Sequence, residues 1–235
     1  GHRRRVTLLF EKTITGAGGV NKQRERTQMN IVKTLAAAGA LLLMSAPGAF
    51  AQNSHPMGFF ATSTGMGDGA NLGGLAGADA HCGKLATAAG STGRTWVAYL
   101  STQVEGKRGI SARDRIGPGP WYNAKGELIA SDLDDLHISP NISRRTAVDE
   151  KGNLVKGRGS KPNEHDMLTG TKADGTAYFP WEKGDKTYSS WTSNDKGSAT
   201  VGHHERHGGG NTSWNAAHNS RGCSQKALVG TGGAG

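Results

Sequence analysis

The sequence predicts an α+β domain, and three observations carry that prediction. A single stretch of helical periodicity begins at Leu72, where Leu75, Ala78, Cys82, Leu85, Ala86 and Ala89 recur at three- and four-residue spacing. Apolar segments of strand length flank it, "GFFATS" at 58–63 and "RTWVAYLST" at 94–102. The second half holds only short apolar pieces between turns: "TAYFPW", "SSWTSN", "TSWNAA" and "KALVG". One early helix followed by short strands and long polar loops is an α+β plan.

Each element has its own local signal. Phe59 and Phe60 lie in a short first strand, and the glycines of 65–69 make the turn that follows. Asp79 and His81 fall on other faces of the helix, and Gly90 with Ser91 stops it as a glycine C-cap does. In 94–102, Trp96, Ala98 and Leu100 share one face and Val97, Tyr99 and Ser101 the other, the pattern of a half-buried strand. Arg113, Asp114 and Arg115 suit a short helical turn that Gly117 to Pro120 ends. "AKGE", "DEKGN" and "KADGT" read as turns between extended pieces, at no fixed period, so no internal repeat is indicated.

The net charge of +9 is unevenly spread. Residues 1–51 carry eight Lys/Arg against two Glu, whereas residues 52–235 carry 20 basic and 17 acidic side chains. An excess of three with both signs interspersed provides no long-range field for nucleic acid. From Met29, "MNIVKTLAAAGALLLMSAPGAFAQ" has the charged start, apolar centre and Ala-x-Ala end of a secretory signal peptide. Its apolar run, Leu35 to Met44, is too short to span a bilayer core of about 30 Å. The expected organisation is therefore a non-native upstream extension at 1–28, translated ahead of the start at Met29 and set aside from the fold, a signal peptide at 29–51 and one exported domain at 52–235, secreted or periplasmic and without a transmembrane anchor. In that compartment two cysteines, Cys82 and Cys223, would ordinarily close a long-loop disulfide.

Four of the nine histidines crowd into "GHHERHGGGNTSWNAAHNSRGC" at 202–223. "HHERH" is one residue short of the metalloprotease HExxH spacing, and its flanking glycines oppose the helix which that motif needs. His203, His207 and His218 meet only if the chain folds back across a turn; otherwise they are imidazoles of a solvated loop. A zinc site using His203, His204 and His207 is thus one functional reading. Another rests on loop oxygens in "KPNEHD", "TSND" and "SWNAAHN", with Asn163, Glu164, Asp166, Asn194, Asp195, Asn215 and His218 facing a ligand. Calcium and sugars both use such groups, although turn residues also bond their own backbone. No G-x-S-x-G elbow is present, and no catalytic set is assigned. Arg113, Arg115, Arg144 and Arg145 suggest polyanion binding, against which stands their alternation with acidic residues.

In order and spacing, "FFATSTGMGDGANLGGLAGADAHCGKLA", "RTWVAYLST", "ARDRIGPGPWYNAKGELIA", "WTSN" and "SWNAAHNSRGCSQKALVGTGGAG" resemble bacterial exported lectin-like proteins. More distantly they are similar to the endostatin domain of collagen XVIII and the wider C-type lectin-like fold. The resemblance covers most of residues 58–235. It implies a helix packed on a twisted antiparallel sheet, with long polar loops that bind sugars or proteins, in some members through calcium; the expected function is non-enzymatic recognition of carbohydrate or an extracellular polymer. Cys82 matches the helix cysteine of that fold, and Trp96 and Trp191 are expected against this helix, with Trp214 in the core. Trp214 and Asn215 match the start of the family's Trp-Asn-Asp calcium signature, and Pro162 and Asn163 its Pro-Asn loop. Ala216 stands where the signature has a carboxylate, which argues against calcium-dependent sugar binding. The family's four-cysteine pattern implies that Cys82 and Cys223 are not partners of each other. It also implies that the sheet lacks a closing strand and keeps an unpaired edge.

Overall fold

The computed structural model describes residues 8–11, 55–208 and 210–230. The first sheet comprises β1 (Leu8–Glu11), β2 (Phe59–Ala61) and β3 (Trp96–Ala98), with helix α1 (Gly74–Ala88) between the last two in sequence. A 3-10 turn at Ala112–Asp114 leads to the ribbon of β4 (Trp121–Tyr122) and β5 (Leu128–Ala130), followed by α2 (Leu133–Ile138). The third sheet is β6 (Asp166–Leu168), β7 (Thr200–His203) and β8 (His218–Asn219), and α3 (Gln225–Gly230) closes the described chain. All paired strands in the three sheets run antiparallel, so the molecule is α+β.

Alternation along the strands separates two apolar layers. Phe59, Val97, Tyr99 and Met167 enter one layer with Trp121, Leu136 and Trp214. Phe60, Trp96, Ala98, Leu100, Leu168 and Val201 enter the other, with Cys82 of α1 and Trp191. The strand at 96–98 is therefore buried on both faces rather than half-buried as its pattern suggested. α1 covers the second layer through Ala78, Cys82 and Ala86, spaced four apart. It ends where Gly90 takes φ 90°, with the Ser91 N–H on the Ala86 carbonyl. Asp79, off that face, accepts from the Ala98 N–H at 2.8 Å and pairs with Arg115 at 2.6 Å, tying α1 to β3 and the 3-10 turn.

Residues 1–28, set aside from the fold on sequence grounds, contribute β1. It lies between β2 and β3, and Phe10 is fully buried. β1 fills the middle of this sheet, and β2 and β3 are its outer strands. Residues 29–51, read as the signal peptide, and the segment after Gly230 lie outside the described residues. Among the described residues no helix is long and apolar enough to cross a membrane.

Residues 188–191 form a left-handed turn, with φ between 50° and 70° at Tyr188, Ser189, Ser190 and Trp191. L-residues disfavour this conformation by about 1–2 kcal/mol each. Its compensation is visible: Tyr188 and Trp191 are fully buried, and Trp191 Nε1 donates to the Ser101 carbonyl at 2.7 Å. Trp96 and Trp191 share the layer of Cys82, and Trp214 is in the opposite one.

Cys82 and Cys223 are both buried and both free thiols. The disulfide ordinary for an exported chain is not formed between them. Cys82 Sγ donates to the Ala78 carbonyl, and burial pushes its pKa well up, which removes it as a thiolate nucleophile. Ellman titration of the unreduced protein should give close to two thiols per chain after unfolding in guanidinium and far fewer in the native state. Finding none after unfolding contradicts this assignment.

Candidate metal centre

Asp166 of β6 pairs with His203 of β7, and Val201 of β7 pairs with His218 of β8. Partners across a ladder and residues two apart on a strand point to one side of a sheet. Asp166, His203 and His218 therefore share the face of Leu168 and Val201, apolar along the strands and polar at their end. Gly202 points the other way, where a Cβ would collide with the Trp214 carbonyl oxygen. The close pass of Trp214 accompanies a bond from the His203 N–H to the Ser213 carbonyl, 3.0 Å. A further bond, from the His204 N–H to the His165 carbonyl at 3.1 Å, brings His165 alongside.

Three imidazoles converge on one carboxylate oxygen. Asp166 Oδ1 lies 3.0 Å from His165 Nε2, 3.4 Å from His203 Nε2 and 3.5 Å from His218 Nε2. Zinc bonds of about 2.0–2.1 Å in a tetrahedron place neighbouring donors about 3.3 Å apart. The three separations from Asp166 Oδ1 are near that edge, and His165, Asp166 and His203 each bring one ligand atom within 4.8 Å of the others. Yet Asp166 Oδ1, His165 Nδ1 and both ring nitrogens of His203 are buried without a hydrogen-bond partner. The separations suit ion pairs while the angles fail as hydrogen bonds, and the angles weigh more because burial lowers the His165 pKa and favours its neutral form. A neutral imidazole has a lone pair for a metal and no charge to give Asp166. Left unmet, each such buried group costs about 1–3 kcal/mol.

Behind the cluster, Glu205 Oε1 accepts from the Arg158 N–H at 2.7 Å and lies 3.6 Å from His165 Nδ1. At that distance the two make no hydrogen bond, so His165 Nδ1 stays without a partner. Gly157 leaves room for Glu205, since a Cβ there would collide with the Glu205 carboxylate. In front, a cleft of about 350 Å³ is lined by His165, Asp166, His218, Asn219, Ser220 and Arg221. Asp166 is its buried part and His203 is buried beyond the lining, whereas the His218 side chain is 46% exposed.

The structure divides the residues that the sequence singled out. His203 joins the cluster. His204, the next residue, is fully buried with Nε2 3.4 Å from the Lys156 carbonyl, and burial takes its pKa down to about 4. His207 is exposed on the turn that follows. "GHHE" is thus not a solvated loop: His203 to Glu205 are buried, with His203 at the end of β7. Among the loop-oxygen residues, Asp166 and His218 meet at the cleft. Asn163 Oδ1 accepts from the His165 N–H at 3.3 Å, and Glu164 is buried. Asn194 donates to Asp68, and Asp195 is exposed nearby. Asn215 is inside the protein, its amide donating to Tyr99 at 3.1 Å and to the Ala173 carbonyl at 3.0 Å. Of the four arginines considered for polyanions, Arg115 is taken up by Asp79. Sequence reasoning missed His165 and Glu205. The available signal was the dipeptide "HD" at 165–166, whose partner strand lies 37 residues on.

Comparison with known proteins finds no matching family model and no matching curated protein.

Buried, unpartnered donors destabilise a metal-free protein. With chelator present, His203→Phe should therefore leave the melting temperature unchanged or raise it, as measured by calorimetry. A fall of several degrees would mean that His203 has partners in the metal-free fold.

Proposed function

We propose that the chain is an exported zinc-binding domain whose ion is held by His165, Asp166, His203 and His218. The observation that carries this reading is the approach of three imidazoles to Asp166 Oδ1 at 3.0 to 3.5 Å, with ligand atoms of His165, Asp166 and His203 within 4.8 Å of one another and buried atoms among them without a hydrogen bond. The donor set selects the metal. Three nitrogens and one carboxylate suit zinc, whereas calcium takes six to eight oxygens. His165, Asp166 and His203 are fixed by the sheet, while His218 stands at the cleft mouth. The cleft beside the cluster would admit a ligand to a bound ion, and Arg221 in its lining would suit an anionic group. This is a binding role rather than a catalytic one. The finer fold within α+β that we propose is C-type lectin-like, supported by the packing of α1 on β3 and by Cys82, Trp96 and Trp191 in one layer.

A second reading, recognition of carbohydrate or an extracellular polymer, is favoured by Trp181. It is 75% exposed and stacks on Phe179 with ring centroids 4.6 Å apart and planes 4° from parallel. Lys172 Nζ sits 4.1 Å from the Phe179 centroid and pairs with Glu182, which braces the platform.

Protein purified without chelator and then dialysed should hold one zinc per chain by elemental mass spectrometry. Asp166→Asn and His203→Ala should each weaken zinc by more than the roughly 10–100-fold typical of outer-shell losses. Zinc at 100 times its Kd should stabilise the wild type by about 2.7 kcal/mol. A wild type that stays metal-free after incubation with equimolar zinc overturns the reading. A metal-free protein stabilised by a glycan, with the gain lost in Trp181→Ala, supports the second.

A further inference from the structure

β1 has a peculiar place in the fold. It is central in its sheet, pairing Leu9 with Phe60 and Phe10 with Phe59 on one side, and Leu9 with Ala98 and Phe10 with Val97 on the other. β2 and β3 do not pair with each other; β1 stands between them. Its anchor is Phe10, whose ring centroid lies 5.3 Å from those of Phe59, Tyr99 and Trp121 and 6.4 Å from that of Trp214. All four belong to the body of the domain. Removing β1 would leave backbone groups of β2 and β3 unpaired on both sides of a groove, with a phenyl-sized hole in its floor. That is the geometry of strand addition, in which main-chain bonds supply affinity and a side-chain pocket supplies selectivity.

The connection is the second observation. Antiparallel neighbours need only a two- to five-residue turn, yet 47 residues separate Glu11 from Phe59. No tight turn therefore fixes the register of β1 against β2; the pairing and the Phe10 pocket do. Phe10 occupies the pocket through side-chain chemistry that a separate polypeptide can supply equally well.

We propose that the groove between β2 and β3 is a strand-acceptor site, which takes the Leu8–Glu11 segment in trans as well as in cis and selects it by the aromatic ring at position 10. On the export reading above, from which this consequence alone follows, cleavage after Ala51 falls between donor and acceptor. A basic segment ahead of a signal peptide stays on the cytoplasmic side, so on that reading export parts the strand from the body and leaves the groove open to another peptide.

The test uses the full chain with a specific protease site in place of residues 38–43. After cutting, the N-terminal fragment should co-elute with the body on size exclusion. Unfolding the cut protein and refolding it with excess fluorescent peptide of residues 4–14 should give about one labelled peptide per body. The same peptide with Phe10→Ala should compete at least about tenfold less well. If the body needs the strand to fold, recovery of soluble body with the wild-type peptide, and not with the Phe10→Ala peptide, is the equivalent result. The proposal is overturned if the fragment elutes alone while the body keeps its melting temperature. Equal competition by the two peptides, or equal recovery with both, also overturns it. Failure of cleavage after Ala51 in exporting cells removes the export reading only.

Discussion

Burial of β2, β3, β6 and β7 along their whole length is the constraint from which the rest of the structure follows. An antiparallel sheet usually turns one face to water, and its sequence alternates accordingly. Here β2, β3 and β6 are buried throughout, and odd and even residues serve two different apolar layers. Such strands tolerate no unpaired polar group along their length. Polar chemistry is displaced to the strand ends, and the His165–Asp166–His203 cluster sits where β6 begins and β7 ends.

This placement accounts for the energetic contradiction of the site. Buried nitrogens and a buried carboxylate oxygen without partners are a cost that the fold carries in the absence of a cation. The surroundings are nonetheless shaped to keep them. Gly202 lets β7 pass the Trp214 carbonyl, and Gly157 makes room for Glu205 behind His165. The same aromatic core that holds Trp214, whose Nε1 donates to the Leu136 carbonyl at 3.0 Å, sets the path of the chain into β8 and so positions His218. Packing on one side of the sheet thereby fixes donor geometry on the other.

Local physics made α1 legible, because its apolar period and the glycine at its end are contained within one short stretch. The strands at 58–63 and 94–102 were legible as strands, and their alternation correctly sorted residues by face. What the pattern did not contain is that both faces are covered, since that depends on α1 and α2 arriving from elsewhere. The metal set was half legible. The crowded histidines drew attention to His203 and His218, but the pairing of Asp166 with His203 is a long-range register that no local signal encodes. The turn at Tyr188–Trp191 was hidden for a related reason: only the burial of two aromatic rings makes a left-handed path affordable. β1 was missed because a basic segment ahead of an apolar leader was read by composition, and Phe10 is a single residue within it.

Register also connects topology to tolerance of insertions. Sliding β7 by one position against β6 would carry Gly202 or His204 into the place of His203 and turn Val201 toward the wrong layer. An insertion of any length between these strands is absorbed as loop while the ladder keeps its register, whereas a slip of one residue would turn Asp166 and His203 to opposite faces and disrupt both apolar layers together. The excursion between Leu168 and Thr200 is itself anchored by the buried Tyr188 and Trp191, so apolar packing and the pairing of Asp166 with His203 hold one alignment from two directions.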